Sequence, residues 1–448
     1  MRPSTYLRWY LLCFYDDIWK PGERMIDKSN LKIAVVGAGI SGIMSAYLLG
    51  RRHRVTLFEK NDYIGGHTNT AVIGDGPDAG LPVDTGFIVH NERTYPLFRA
   101  FLKQLGVSAA QTDMSFSCQD NAKGLQYSSL GFNGFFADRA NLFRPSYWIF
   151  LWGIQHFCRR TQKLFKQDGL GGLTLGEFAR REGFRQDVIE QFVIPMASAI
   201  WSSSEAKTME FPMESFARFY SNHGLLSVWD HPAWYYIPGG SHTYVKAFLK
   251  IFKGTVRPKC PIAAVRRSGT GIALKLTDGA EETFDAVVIA AHADEAYRML
   301  ADPSPEELRL LGPWDYSKNH TVLHRDTSWL PENRRAWASW NYRHEPSIPK
   351  TFPATVTYYM NHLQRLGARD HYCVTLNPWK PVPTGEVIDE MVYTHPMYTF
   401  ESMATQKELP SLNGKRNTFF CGAYFGFGFH EDGTRSAVEM ARHFGIEL

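Results

Sequence analysis

The 448-residue sequence lacks paired cysteines, a metal-ligand spacing, a block of one charge and a membrane-length apolar run. Pro145 to Cys158 contains no Asp, Glu, Lys or Arg, but it is shorter than the roughly 18 apolar residues of a spanning helix. Lys plus Arg number 49 and Asp plus Glu 45, a net charge of +4 without any Lys/Arg-rich run. That leaves no electrostatic footprint for nucleic acid. Cys13, Cys118, Cys158, Cys260, Cys373 and Cys421 are scattered, and read as reduced thiols of a cytoplasmic protein. No HExxH-type histidine pair occurs, so no metal centre is expected. Leu7 to Tyr15 is apolar, but Asp16-Asp17 interrupts it and no small-residue cleavage site follows, which makes a poor signal peptide. Residues 1–30 are read as a weakly ordered extension, with Met25 standing where a compact chain would begin.

What is present is concentrated between Leu31 and His67. A β-branched run, Leu31 to Val36, ends at Gly37-Ala38-Gly39-Ile40-Ser41-Gly42. A helically spaced apolar stretch follows, then Arg54 to Phe58 as a second strand, closed by Glu59. Strand, glycine turn, helix, strand, acid is the order of a dinucleotide site. Gly37 permits the tight turn, Gly39 leaves room for a pyrophosphate, and Gly42 allows close helix–sheet packing. The helix N-terminus offers unpaired N–H groups to phosphate. Glu59 has the spacing of a ribose-binding carboxylate and argues against a 2′-phosphate.

Ile64-Gly65-Gly66-His67 comes next. Together with the glycine turn it resembles the flavoprotein amine oxidase and phytoene desaturase superfamily, whose second strand is followed by Gly-Gly-Arg. His67 stands where that family usually has Arg, and a neutral imidazole lacks the fixed fork of charge. Further along, Tyr236-Ile237-Pro238-Gly239-Gly240 resembles the family's Pro-Gly-Gly turn. Asn417 to Gly433 resembles its closing strand and glycine-rich loop, with Ala423 in place of the usual acid. With the Asn361-His362-Leu363-Gln364 string, this ending is similar to a bacterial amine-oxidase-like subgroup of FAD-binding proteins, often associated with fatty acyl modification.

The resemblance implies an α/β fold, a Rossmann-like FAD-binding domain with an interleaved α+β substrate domain. FAD-binding pieces are expected at 31–106, 237–302 and 412–448, and substrate pieces at 107–236 and 303–411. It implies non-covalent FAD held by Gly37, Gly39, Ile40, Ser41, Gly42, Glu59, Lys60, Gly65, Gly66, His67, Ile262, Gly422, Gly433 and Thr434. Gly433 and Thr434 are expected at the start of the last helix, their N–H groups facing the flavin pyrimidine. Tyr424, His430 and His67 are the catalytic candidates, each with packing as the alternative role. Glu431 and Asp432 are expected to cap the helix.

Asn91 to Leu105 and Asn141 to Phe165 read as helices, and Leu175 to Ile200 as two helices broken near Pro195. The second of these, aromatic and flanked by Arg144, Arg159 and Arg160, is read as buried beneath a substrate cavity rather than as a membrane-docking face. The expected activity is hydride removal from an apolar carbon chain or an amine, with an unidentified electron acceptor. A non-redox flavin isomerase or mutase and a flavin-binding interaction protein are the alternatives. The expected compartment is cytoplasmic, with peripheral membrane contact as the variant.

Overall fold

The computed structural model describes residues 29–227, 231–269 and 271–448. The expected extension therefore lies outside the described residues except for its last two.

The glycine-turn unit folds as its pattern requires. Strand β1 (Lys32–Val36) leads into helix α1 (Ile40–Leu49), which returns to strand β2 (Arg54–Phe58). Strands β3 (Thr255–Arg257), β4 (Ala286–Ile289) and β5 (Thr418–Phe420) complete a five-stranded sheet in the order β3-β2-β1-β4-β5. Every pairing in it is parallel. β4 is buried at every residue, the near-continuous apolar run of a strand covered on both faces.

A second, seven-stranded sheet joins chain segments far apart in sequence. Phe116–Asp120 and Leu125–Ser128 form one edge, and Phe116–Asp120 runs parallel to Trp340–His344. Val356–Tyr359, Cys373–Leu376, Tyr316–His324 and Val387–Pro396 continue it antiparallel. A small sheet pairs Val89–Asn91 and Ala110–Thr112 with opposite edges of Trp234–Tyr236. It therefore spans the expected division near residue 106.

Four expected elements differ, each for a local reason. Helix α2 covers only Pro96–Gln104, because Val89–Asn91 is a strand and Pro96 sets the first helical residue. The helical path through Pro195 is not broken. It widens into a π-helical turn at Ile189–Val193, immediately before helix Ile194–Trp201. Proline cannot donate to the i−4 carbonyl, and the wider turn absorbs the mismatch.

The last helix, α6 (His430–Arg442), starts earlier than expected. The Asp432 carboxylate accepts from Phe429 N–H at 3.1 Å and Phe427 N–H at 3.0 Å, closing the first turn there. Glu431 caps a different helix. It accepts the Leu97 and Phe98 N–H groups at 2.9 Å each, at the start of α2.

The aromatic helix is the fourth difference. Helix α3 (Gly131–Phe135) and a short 3₁₀ turn precede helix α4 (Pro145–Lys166). Only one face of α4 is buried, through Tyr147, Phe150, Gly153, Phe157, Cys158 and Thr161. Trp148, Ile149 and Trp152 lie on the other face and are exposed. Among the described residues no helix is long and apolar enough to cross a membrane.

Helix α6 packs across α1, and glycine sets the distance. A Cβ on Gly433 would lie 2.7 Å from Ser41 Oγ and 2.9 Å from Ile40 Cγ2. A Cβ on Gly42 would lie 1.8 Å from the Gly37 carbonyl oxygen. Gly42→Ala is thus expected to push α1 off the turn and to destabilise the fold by on the order of 1–3 kcal/mol. Thermal melting of the variant checks this, and an unchanged midpoint would mean that the turn can give way.

Candidate functional site

At the C-terminal ends of β1, β2 and β4 a cavity of about 2340 Å³ opens. Val36, Gly37, Gly39, Ile40, Ser41, Glu59 and Lys60 form one end, beside Ala290, Ala291 and Ile262. Gly37 sits at φ +98°, and a Cβ there would meet the Ala290 carbonyl oxygen at 2.7 Å. Apart from its chain neighbours, no atom of the described residues lies within 4 Å of where a Cβ on Gly39 would stand, so the backbone is open to a ligand. No side chain caps α1. The N–H groups of its first turn remain for an anion, with the positive end of the helix dipole behind them.

Glu59 is buried, and its carboxylate holds the turn. Oε2 accepts Ala38 N–H at 2.8 Å and Oε1 accepts Asn61 N–H at 2.9 Å. A carboxylate has further lone pairs for ribose hydroxyls. Gly65 N–H donates to Ala38 O at 2.9 Å, and a Cβ on Gly66 would reach within 3.0 Å of Gly39 Cα. The Gly-Gly pair therefore brings its loop directly over the first glycine turn.

Several expected site residues occupy other roles. Gly42 and Gly65 do not line the cavity and serve close packing. Lys60 lines it, but its ammonium pairs with Glu295 of helix α5 (Ala293–Met299). Gly433 and Thr434 lie beyond the first turn of α6. Gly433 N–H already donates to Phe429 O at 3.2 Å, and Thr434 Oγ1 donates to His430 O at 2.8 Å. Neither residue lines the cavity, and the Gly433 N–H is engaged within the helix, which begins at His430. Phe429 and His430 reach the cavity instead. Gly422 lines it, tied to α6 by its N–H donating to Ser436 Oγ at 3.0 Å. Cys421 is buried behind, with its sulfur 3.4 Å from Ser45 Oγ.

His430 stacks on Phe87 with ring centroids 3.5 Å apart, and its Nε2 meets Thr68 Oγ1 at 2.9 Å. Burial pushes its pKa down to about 3. His67 stacks on Tyr393 at 5.1 Å and lies 5.3 Å from the His395 ring and 6.2 Å from that of His292. Its Nε2 is buried without a protein partner. Burial, then the neighbouring imidazoles, hold it well below the ordinary range. His395 is driven to about 4, first by burial and then by His292. Burial disfavours the charged form of all three imidazoles on this wall, where the family's Arg would have brought a fixed charge. Tyr424 is fully enclosed beside Gly422, its hydroxyl also without a protein partner, and burial raises its pKa well above the ordinary value.

Sequence reasoning missed His292, Tyr393 and His395. Tyr393 and His395 stand at i and i+2 of Val387–Pro396, so alternation places them on one face. Asp84 stands in the Val83 to Ile88 segment, which resembles the family's acid-and-glycine stretch after the Gly-Gly pair, but its partners are not legible in the sequence. This buried carboxylate accepts from Ser241 N–H at 2.8 Å, from the Thr70 hydroxyl and from Gln364 Nε2 at 2.9 Å. Burial pushes it up to about 7. The Asn-His-Leu-Gln string is explained here: Gln364 braces Asp84, and Asn361 Oδ1 accepts Tyr372 N–H at 2.8 Å.

Cradle and donor set fit the FAD that the resemblance implies. The glycine turn, uncapped α1 and Glu59 would take the dinucleotide half, and Ile262 lies at the same end. Phe429, His430 and Tyr424 lie where α6 meets the cavity.

His90, packed behind His430, is fully buried with both ring nitrogens unpartnered, and burial pushes it down to about 3. Between pH 6.5 and about 3 the folded state binds fewer protons than the unfolded chain. Stability is therefore lost as pH falls through that window, at up to about 1.4 kcal/mol per pH unit for each such group. His90→Phe should melt no lower than the parent at pH 7.5, since it removes unsatisfied polar atoms. Its midpoint should fall less steeply between pH 6 and 4, and equal slopes would show that His90 takes no part in the acid sensitivity.

A family profile described as flavin containing amine oxidoreductase matches residues 40–318, more than half of the chain. Prenylcysteine oxidase 1 of Bos taurus is 31% identical over 121 residues, 26% of this chain and 22% of that protein. The chain thus matches only about a fifth of that relative's length. A CLA-producing fatty acid isomerase from P. acnes shares the fold with TM-score 0.64 at 13% identity, over 92% of this chain and 98% of that one. Putrescine oxidase does so with TM-score 0.67 at 11% identity, over 93% and 99%. At such identities these likenesses describe the fold alone. With the dinucleotide cradle and the matched profile, the chain belongs to the flavin containing amine oxidoreductase family, and FAD is its cofactor.

Proposed function

We propose that this protein is an FAD-dependent oxidoreductase that removes hydride from a carbon of an extended apolar substrate, a fatty acyl or polyene chain, in preference to an amine. The composition of the cavity beyond the cofactor end carries this reading. Phe135, Leu151, Ile154, Phe192, Met196 and Ile200 line it there. Of the cavity-lining residues between Tyr127 and Ser202, none is charged. An ammonium group moved into that wall would lose its water with no carboxylate in return. The π turn before Pro195 brings Phe192 to the wall.

Bound FAD would supply the hydride acceptor, and the protein would aim the substrate and exclude water. His67, His292 and His395 can offer hydrogen bonds there but no charge. His430 is engaged by Thr68 and Phe87 and is a packing residue in this reading. Tyr424 Oη and His67 Nε2 are among the buried polar atoms of the cavity lining that have no partner among the described residues, with Trp201 Nε1, Trp340 Nε1, Tyr398 Oη and Asp294 Oδ1. A non-redox isomerase is the second reading. It is favoured by the same uncharged wall and by the fold-level likeness to a fatty acid isomerase.

Two experiments test this. Anaerobic addition of unsaturated fatty acids or polyenes should bleach the flavin stoichiometrically, while short diamines should not. Product formed with the flavin still yellow would establish the isomerase instead. Glu59→Lys replaces the buried acceptor by a cation that cannot accept any hydrogen bond. It should purify colourless and melt lower, since bound cofactor stabilises by mass action. A yellow variant would mean that the dinucleotide lies elsewhere.

A further inference from the structure

Large apolar side chains are exposed at twelve described positions, and five of them fall between residues 132 and 152. Phe143 is 86% exposed, Trp152 63% and Phe132 61%, with Trp148 and Ile149 about half exposed. All five belong to α3, α4 and the turn between them. Phe136 lies 4.8 Å from the Phe132 ring and 5.0 Å from that of Trp148, bridging α3 to α4.

The outward stripe of α4 is ordered along its length. Pro145, Ile149, Trp152, His156, Arg159 and Lys163 recur at helical spacing and are all exposed, and Lys166 ends the stripe. The first half is apolar and the last three positions are cationic. None of these three cations is in an ion pair among the described residues. Seven residues separate Trp152 from Arg159, an axial distance of about 10 Å. With the helix tilted and its N-terminal half toward the bilayer, that offset lets the apolar part enter the acyl boundary by roughly 5–10 Å while the cations stay at the headgroups. Tryptophan at the boundary fits the same arrangement.

Phe132, Trp148 and Trp152 belong to this surface and also line the cavity. We propose that α3, the turn after it and the first half of α4 dock on an anionic lipid bilayer, and that the cavity opens there to admit its substrate directly from the lipid. The substrate part rests on the apolar reading above; the docking part does not. A second copy of the chain is a poorer occupant. Antiparallel pairing of two α4 stripes would lay Arg159, Lys163 and Lys166 of each on the apolar half of the other, desolvating cations without carboxylates.

The test is flotation of the flavin-loaded full chain with vesicles, read as bound fraction and without turnover. The parent should float with phosphatidylcholine–phosphatidylglycerol vesicles, and less with phosphatidylcholine alone or at high salt. Phe143→Ser with Ile149→Ser removes two apolar contacts that do not line the cavity, and should weaken binding roughly tenfold. Arg159→Glu with Lys163→Glu should weaken it on the anionic vesicles only, by at least about tenfold. Unchanged flavin content and melting serve as the folding check for both. The proposal fails if the parent does not float, or if both variants float as the parent does. It also fails if the parent is a dimer that the serine variant converts to monomer, since a second copy then covers the face. Flavin bleaching by apolar chains in a parent that does not float would refute docking and leave the proposed activity standing. Flotation without bleaching would do the reverse.

Discussion

The closeness of two helix N-termini is the constraint on which the site depends. α1 and α6 come from opposite ends of the chain, yet Gly433 lies against Ser41 and Ile40 with no room for a Cβ. That contact fixes where α6 begins relative to the glycine turn. It also fixes what α6 reaches. Ser436 takes Gly422, Glu431 takes the start of α2, and His430 comes to rest on Phe87. The parallel order β3-β2-β1-β4-β5 then gathers the strand ends that carry Glu59, Ala290 and Gly422 beneath these two helices. Backbone amides at the α1 terminus supply the positive potential that a side-chain cation supplies elsewhere.

This division of labour accounts for the electrostatics of the other wall. His67, His292 and His395 are packed together and half-buried; His395 and His292 raise the cost of charging His67, and His292 raises that of charging His395. Neutral imidazoles remain donors and acceptors, so they shape a ligand without binding an ion. The uncharged stretch of lining between Tyr127 and Ser202 selects by shape and by loss of water.

The fold was legible wherever function and backbone demand coincide. Gly37, Gly39, Gly42 and Glu59 stand in a spacing that few other structures need, and strand, turn and helix follow it. The lone string Asn-His-Leu-Gln was visible but mute, because its meaning lies in Asp84, distant in sequence. Helix ends were read poorly for the same reason. Asp432 closes its own helix while the adjacent Glu431 closes another, and composition cannot separate the two. Apolar periodicity in α4 showed a helix but not which face would be covered, since covering depends on neighbours. Pro195 signalled a break, whereas the chain used a π turn that absorbs the missing donor and carries the helix on.

The Asp84 cluster bears on the order in which the protein is made. Its partners Ser241 and Gln364 lie 157 and 280 residues downstream. Loops of that length are closed at an entropic cost before the contacts form. During synthesis at about 5–20 residues per second, Gln364 follows Asp84 by on the order of tens of seconds. Until then the Asp84 carboxylate lacks the Gln364 amide that braces it in the folded protein. The support under the hairpin of Thr70–Val72 and Pro82–Asp84 is thus complete only when most of the chain has been made.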